Sequence, residues 1–201
     1  MTGAPPEWGH PARLAHPERP AIQRIRENVV YRNQFAAVYD DAVLFADADE
    51  GRYLRIVESN GDPGVAVLAV CADCVALVLT YRYPVSAWEW GVPRGFAHGS
   101  DPEVTARAEL TEELGREPDT LTPIGTVTPN SGILSGRVEL FHARYASAVS
   151  SPEDTGEVAA VRWLPMAELS SEIASGGIAD AFTLAAIACA AARGLISFGS
   201  S

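Results

Sequence analysis

One segment of this chain has helix boundaries marked at both ends, and it limits the possible folds more than any other. Asp101 is a favoured N-cap residue, Pro102 suits the first helical position, and Glu103 places a carboxylate in the first turn. Gly115 is the residue type that commonly ends a helix. The sequence therefore predicts a helix from Pro102 to the residue before Gly115, and the apolar runs around it must supply the surface that covers it.

Three glutamates lie at helical spacing near the end of this helix. Glu109, Glu112 and Glu113 are three and four residues apart, so their carboxylates are expected on one face. Like charges at this spacing repel by roughly a few tenths of a kcal/mol per pair, which a bound cation would relieve. Mg²⁺ is held by one or two carboxylates plus substrate phosphates, and Mn²⁺ is the alternative. Glu109 and Glu113 are the expected direct ligands, with Glu112 as a further ligand or a base. The competing interpretation is a solvated helix face.

Alternating apolar and polar residues predict strands on both sides of the helix. Asp40-Asp41 and other polar clusters are interpreted as turns between them. The predicted strands are Val29–Tyr31, Phe35–Tyr39, Val43–Phe45, Tyr53–Val57, Val65–Val70, Val75–Tyr83, Leu121–Val127, Arg137–Tyr145 and Val158–Leu164. The glycine-rich segment Trp88–Ser100 is expected to be a loop, and a final helix is expected from Ala179 to Arg193.

Strands around a central helix, with a second helix at the end, indicate an α/β fold in which a mixed sheet lies between helices. We expect an irregular N-terminal arm at residues 1–20 and a small antiparallel β subdomain at 21–60. The remainder, 61–201, is expected to form the catalytic domain as an α/β/α sandwich.

The acidic helix and its surroundings resemble a known family. Gly95 followed by Glu109-Leu110-x-Glu112-Glu113-x-Gly115 resembles the Nudix box, whose family comprises Mg²⁺-dependent hydrolases of nucleoside diphosphates linked to another group. Trp90–Phe96 is similar to the family segment before the box. Ser175–Ala181 is similar to the start of the closing helix in the branch of the ADP-ribose pyrophosphatases. The resemblance implies the same sandwich, cleavage of a diphosphate bond in ADP-ribose or a nucleotide sugar, and a homodimer formed through the N-terminal sheet.

The resemblance also implies roles for residues outside the helix. Arg82 and Arg94 are expected to contact substrate phosphate, and the backbone carbonyl of Arg94 is expected to face the metal. This branch takes its catalytic base from an acidic loop, which here contains Glu153, Asp154 and Glu157. Together with Glu112, these residues are the candidates for activating water.

The chain departs from the family pattern at several supporting positions. Ala108 stands at the position of the box arginine, and Ser100 or Asp101 stands at that of the first box glutamate. Gly91 and Gly136 stand where the family pattern has two further acids. Arg107 points about 100° away from the position of the missing guanidinium. The departures leave open an alternative function, a Nudix domain that binds a nucleotide without cleaving it and serves as a sensor or interaction module.

Charge and cysteine content exclude other classes of protein. The net charge of −11 argues against nucleic-acid binding, which requires a concentrated basic surface. The apolar stretch from Ile178 to Ile196 contains Asp180 and Arg193 and is dominated by alanine, so we expect a packed helix and no membrane association. Three cysteines are too few for a disulfide framework, which favours the cytoplasm.

Two weaker candidate sites have simpler interpretations. Cys71 and Cys74 have neither a second cysteine pair nor a histidine at zinc-binding spacing, so a hairpin turn is favoured. Among the histidines, His98 is the only one next to the box, and we name it as a residue to test.

Overall fold

The computed structural model describes residues 21–97, 99–148 and 150–197. The described residues form two compact units, one containing residues 21–62 with Thr128–Arg137 and the other the described residues between 63 and 127 and between 138 and 197. The predicted arm, residues 1–20, and His98 lie outside the described residues. The sequence placed residues 128–137 in the catalytic domain. In the structure this segment joins the first unit, where the amide of Ile56 donates to the carbonyl of Ile133 at 2.7 Å.

The residues of the first unit that the structure describes contain a four-stranded antiparallel sheet. Its third strand is central: the first two strands pair with it on one edge and the fourth on the other. The strands are β1 (Gln23–Arg26), β2 (Val29–Arg32), β3 (Ala36–Leu44) and β4 (Glu50–Glu58).

The central strand corrects the sequence interpretation of Asp40 and Asp41. These residues were predicted to form a turn between two strands, but β3 runs through them without a break. Asp41 is 3% exposed and accepts a hydrogen bond from Nε of Arg55 at 2.8 Å, while Asp40 pairs with Arg52. Both arginines lie on the neighbouring strand β4, so cross-strand ion pairs satisfy the two acids inside the strand.

Replacement of Asp41 by alanine is expected to destabilise the first unit. The substitution removes the carboxylate that accepts from Arg55 and from the amide of Asn28, at a cost of about 1–2 kcal/mol. Urea denaturation followed by circular dichroism measures the change in free energy of unfolding. Asp40→Ala is the matched control because its ion pair is exposed, and an equal loss in the control would contradict the role of burial.

In its described part, the second unit contains a seven-stranded mixed sheet and three α-helices. The strands are β5 (Gly64–Cys71), β6 (Cys74–Arg82), β7 (Ala87–Gly91), β8 (Arg94–Gly95), β9 (Thr120–Val127), β10 (Val138–Tyr145) and β11 (Val158–Pro165). The main strand order is β11-β6-β5-β10-β9, and among these strands only the β10–β5 pairing is parallel. The helices are α1 (Pro102–Leu114), α2 (Leu169–Ser175) and α3 (Ala181–Ala192).

The two faces of the central strand β5 pack against different helices. Val65, Val67 and Ala69 belong to the same buried cluster as Ala106, Leu110 and Leu114 of α1. The alternate residues Ala66, Leu68 and Val70 cluster with Ala186, Ile187 and Ala190 of α3. Because side chains alternate across a strand, one strand joins both cores. The predicted α/β/α arrangement is confirmed.

The helices largely match the prediction. Helix α1 has the predicted bounds: Asp101 caps it, and Gly115 ends it with a left-handed φ of 88°. The final helix begins at Ala181 rather than Ala179, because Asp180 is its N-cap. Helix α2 was not predicted, since its short polar sequence has little apolar periodicity. In the described part of the chain, none of the helices has the length and apolar character that crossing a membrane requires.

The segment predicted as a loop contains two strands that fill an opening in the sheet. Strands β5 and β6 pair only beside their connecting turn, at Val70↔Val75 and Cys71↔Cys74. Further along, β6 pairs with β7 and β5 pairs with β8. The Val92–Pro93 connection therefore lies between the separated strands, where the amide of Val67 donates to the carbonyl of Pro93 at 2.8 Å.

Candidate active site

Two of the three glutamates of α1 face the sheet. Glu109 and Glu113 are 7% and 4% exposed, whereas Glu112 is exposed. Consecutive helical residues differ by about 100°, so Glu112 cannot share the direction of Glu113. Across the described residues, no three His, Cys, Asp or Glu side chains are close enough to hold a metal ion by themselves. The expected convergence of all three carboxylates is therefore corrected to a buried pair with an exposed neighbour.

Strand β8 lies directly against the buried pair. The amide of Arg94 donates to Oε2 of Glu113 at 3.2 Å. A Cβ added at Gly95 would lie 1.8 Å from Oε1 of Glu109, a distance that no side chain allows. The absence of a side chain at Gly95 thus lets a backbone segment approach one carboxylate while it donates to the other.

Burial and like charges both oppose ionisation of this pair. Burial is the main cause that raises the pKa of Glu109 to about 7 and that of Glu113 to about 8. Repulsion from each neighbouring acid adds to the effect, with Glu157 acting on both residues. The amide of Arg94 and the charge of Arg82 act in the opposite direction on Glu113. Two carboxylates suffice for Mg²⁺, which keeps waters and binds substrate phosphates, so these residues fit a divalent ion.

The metal-free protein is expected to lose stability as pH rises from about 4.5 to about 8. Unfolded glutamates ionise near 4.5, whereas folded Glu109 and Glu113 keep their protons up to pKa values of about 7 and 8. The folded state binds more protons across this interval, so the free energy of unfolding falls with pH until the pKa of Glu113 is passed. Thermal melts in EDTA from pH 5 to 9 measure this, with Glu113→Gln as the comparison. The wild type should lose stability more steeply than the variant, and parallel profiles would contradict the shift.

The acidic loop of residues 151–157 is attached to the end of α1. The amides of Glu153 and Asp154 donate to the carbonyl of Glu112 at 2.8 and 3.0 Å. Oδ1 of Asp154 accepts from the amides of Gly156 and Glu157 at 2.9 and 3.1 Å, so this carboxylate shapes the loop. Among the three predicted loop acids, Glu157 is the one whose charge acts on both buried glutamates.

The two predicted phosphate-binding arginines have different surroundings. Nη1 of Arg82 lies 3.6 Å from Oε1 of Glu157. Nη2 of Arg94 lies 3.1 Å from Oδ1 of Asp180, and its guanidinium stacks 4.7 Å from the ring centroid of Phe182. Burial lowers the pKa of Arg94 from its ordinary value. Arg94 is thus held by the start of α3, while Arg82 stands beside the acidic loop.

The residues considered as substitutes for missing box positions have other partners. Arg107 pairs with Glu103 at 3.0 Å and with Glu117 at 3.5 Å. Asp101 accepts from the amide of Glu103 at 2.9 Å as the helix cap. The positive charge that acts on Glu113 comes from Arg82 of β6, which sequence reasoning had assigned only to substrate.

Two buried polar residues at the start of α3 were not recognised as part of the site. Asp180 and Thr183 are 8% and 0% exposed, and both contact the segment that supports the carboxylates. Their three-residue spacing is that of an N-cap and its amide partner, which is the signal that could have identified them.

Cys71 and Cys74 are free and flank the β5–β6 turn, in agreement with the favoured interpretation of a hairpin turn.

Comparisons with known proteins agree with this geometry. The NUDIX domain model matches residues 62–183, more than half of the chain. The chain is 28% identical over 155 residues to the CMP-5'-(N-acetyl-N-hydroxy-3-aminopropyl)phosphonate hydrolase of Streptomyces rubellomurinus, with 75% of this chain and 72% of the relative covered. It is 27% identical over 138 residues to the ADP-ribose pyrophosphatase of Mycobacterium tuberculosis, with 66% of each chain covered.

The fold has a close counterpart among solved structures. A crystal structure of an ADP compounds hydrolase superposes with a TM-score of 0.73 at 18% identity, covering 87% of this chain and 95% of that one. Nudix enzymes act on small nucleoside diphosphate substrates and generally use divalent metal ions. The fold, the acidic helix and the family match together show that this chain belongs to the Nudix family of pyrophosphohydrolases.

Proposed function

We propose that this protein hydrolyses the diphosphate bond of a nucleoside diphosphate linked to another moiety, with ADP-ribose or a nucleotide sugar as substrate and Mg²⁺ as the metal. Mn²⁺ is the alternative ion. The observation that carries the proposal is the buried pair Glu109 and Glu113, held against the backbone of Arg94 and Gly95. The name of the mycobacterial relative supports ADP-ribose as the first compound to test.

The buried pair is the proposed metal site. Glu109 and Glu113 supply one carboxylate each, and the carbonyl of Arg94 is a further candidate ligand. Glu112 is exposed, and its proposed role is that of a further ligand, through water, or a base. When bound, Mg²⁺ neutralises phosphate oxygens and lowers the pKa of an attacking water. An ion also resolves a charge conflict, since a protein with net charge −11 would otherwise repel an anionic substrate.

Glu157 is our first choice for the base that takes the proton from water. Its charge acts on both buried glutamates, and the loop that carries it is attached to α1 through the carbonyl of Glu112. Asp154 already accepts two loop amides. Glu153 and Glu112 are the remaining candidates, because both are exposed in the same region.

Arg82 is our first choice for contact with substrate phosphate. Its partner Glu157 is exposed and 3.6 Å away, so the pair can open at little cost. Arg94 is already committed to Asp180 and stacked on Phe182. Its proposed role is therefore mainly to shape the site.

A substrate panel tests the proposal. ADP-ribose, nucleotide sugars, a dinucleotide and a CMP-linked phosphonate, the last suggested by the name of the Streptomyces relative, are incubated with Mg²⁺ or Mn²⁺. Phosphatase added afterwards releases inorganic phosphate from monophosphate products but not from intact diphosphate bridges. We expect turnover of at least one compound, abolished by EDTA. No turnover with either ion would refute the proposal.

Binding without hydrolysis is the second candidate function. Ala108 lacks the box guanidinium, and Arg107 is engaged by Glu103 and Glu117 rather than by the buried pair. Isothermal titration with ADP-ribose, with and without Mg²⁺, separates the two functions. Metal-dependent binding of a compound that is never cleaved would favour a sensor or interaction module.

We also propose that the protein is a cytoplasmic homodimer built from an arm at 1–20, a dimerising sheet at 21–60 and a catalytic domain at 61–201, in which residues 128–137 join the unit of the sheet. Ile25, Val30 and Tyr31 of β1 and β2 are each more than half exposed, which is an apolar surface suited to a second copy. Light scattering after gel filtration tests this, and a mass near the 21.4 kDa of one chain would contradict it.

A further inference from the structure

We propose that Thr183 and Asp180, at the start of α3, are positioning residues that hold the turn between β7 and β8 against the catalytic carboxylates. This inference rests on the proposed function, because the turn matters for catalysis only if Glu109 and Glu113 form the metal site. Neither residue belongs to the acidic helix or to the base loop. They act from the opposite side of the sheet, on which α3 packs.

Thr183 connects the helix to the turn through its hydroxyl group. Its Oγ1 accepts a hydrogen bond from the amide of Val92 at 2.9 Å and donates to Oδ2 of Asp180 at 2.6 Å. Thr183 is fully buried and Val92 is 0% exposed, so water cannot replace the hydroxyl. The amide of Val92 therefore depends on this single side chain to remain satisfied.

Asp180 connects the same helix to the next residues of the turn. Its Oδ2 accepts from the amide of Thr183 at 2.9 Å as the cap of α3, and its Oδ1 pairs with Nη2 of Arg94 at 3.1 Å. Oδ2 therefore caps the helix, whereas Oδ1 holds the guanidinium of Arg94. A Cβ at Gly91, the last residue of β7, would lie 3.2 Å from Oγ1 of Thr183 and 3.4 Å from Oδ2 of Asp180, so the start of the turn packs against the cap.

The contacts form a continuous path to the metal-binding face. Thr183 holds Val92, and Asp180 holds the side chain of Arg94. The backbone of Arg94 in turn donates to Glu113, and the adjacent Gly95 lies against Glu109. A shift of the turn by a fraction of an ångström would move the amide of Arg94, which donates to Glu113. It would also move Gly95, which packs against Glu109. Misplacement by about 1 Å in an active site can cost on the order of 100-fold in rate.

Thr183→Val is the direct test, because it keeps the shape of the side chain and removes the hydroxyl. We expect kcat to fall by about 10-fold at saturating Mg²⁺ and substrate while KM changes by less than about 3-fold, since substrate contacts remain. Thr183→Ser, which restores the hydroxyl, should return kcat to within about 3-fold of wild type. Amide exchange of Val92, measured by NMR, should be at least about 10-fold faster in the valine variant only, because that amide loses its partner.

Two further variants separate positioning from general stability. Asp180→Asn retains an oxygen that can cap α3 but removes the charge that holds Arg94, so kcat should fall while the helix stays intact by circular dichroism. This variant also carries the test if Thr183→Val does not fold. Ala190→Gly destabilises the same helix about 10 Å further along its axis and should lower Tm without changing kcat below that temperature.

The outcomes are decisive for the positioning role. A valine variant with unchanged kcat and unchanged Val92 exchange would overturn the inference, as would an equal loss of kcat in Ala190→Gly. Failure of the serine variant to restore kcat would also overturn it. If the wild type cleaves nothing in the panel, the proposed function fails. The exchange of Val92 in the valine variant then still shows whether Thr183 holds the turn, and unchanged exchange refutes it.

Discussion

Glu113→Gln should reduce hydrolysis by about 1,000-fold or more, the largest loss expected from any single substitution in this protein. Glutamine preserves the volume and one oxygen but removes the negative charge that would attract a divalent ion. The residue is 4% exposed and accepts from the amide of Arg94, so its carboxylate is held against β8. Steady-state kinetics on the best compound of the panel measure the loss.

The same variant separates loss of chemistry from loss of folding. The pKa of Glu113 is raised to about 8 mainly by burial, so a neutral amide at this position should make the metal-free protein at least as stable as wild type at pH 8. Glu117→Gln is the matched control, because Glu117 is exposed and pairs only weakly with Arg107. Full activity in Glu113→Gln would show that α1 is not the active site.

Gly95→Ala should reduce hydrolysis by about 100-fold or more. The added Cβ would lie 1.8 Å from Oε1 and 2.1 Å from Cδ of Glu109, so either the carboxylate or strand β8 must move. Movement of β8 would also displace the amide of Arg94 from Glu113. One methyl group is therefore expected to displace Glu109, and Glu113 as well where β8 gives way, with an effect similar to that of a misplaced catalytic group.

A measurement of metal affinity and a control substitution at a second glycine test whether the effect is specific to Gly95. Isothermal titration with Mn²⁺ should show weaker binding in Gly95→Ala, in proportion to the loss of activity. Gly136→Ala is the control, since its Cβ would lie 3.8 Å from Oε2 of Glu58, an ordinary contact. Wild-type activity and affinity in Gly95→Ala would mean that Glu109 does not need its observed position.

Local signals in the sequence were sufficient for the elements that depend on local interactions. Helix α1 was predicted with its bounds because Asp101 and Gly115 form the caps from within the same segment. The acid pair in β3 was misinterpreted because its stabilisation comes from Arg52 and Arg55 on another strand. The strands β7 and β8 were missed because they complete edges of β6 and β5 that exist only in the folded sheet.

The candidate site also combines residues that the sequence predicted with contacts that only the fold supplies. Sequence spacing identified Glu109, Glu112 and Glu113, but burial in the folded unit selected the first and last as the pair. The sequence predicted that the acidic loop supplies a base but did not distinguish Glu153, Asp154 and Glu157. In the structure, the carboxylate of Asp154 accepts two amides of the loop, which separates it from the other two acids. No spacing rule could connect Thr183 to Val92, which are 91 residues apart in the chain.

By itself, the amino-acid sequence determined the α/β class, the capped acidic helix and the family, because caps, periodicity and the box motif depend on residues close together in the chain. Only the tertiary structure decided which glutamates are buried, which arginine is held by α3 and which backbone segment supports the carboxylates. The physical reason is that desolvation, ion pairing and close backbone approach depend on groups that folding brings together from distant parts of the chain.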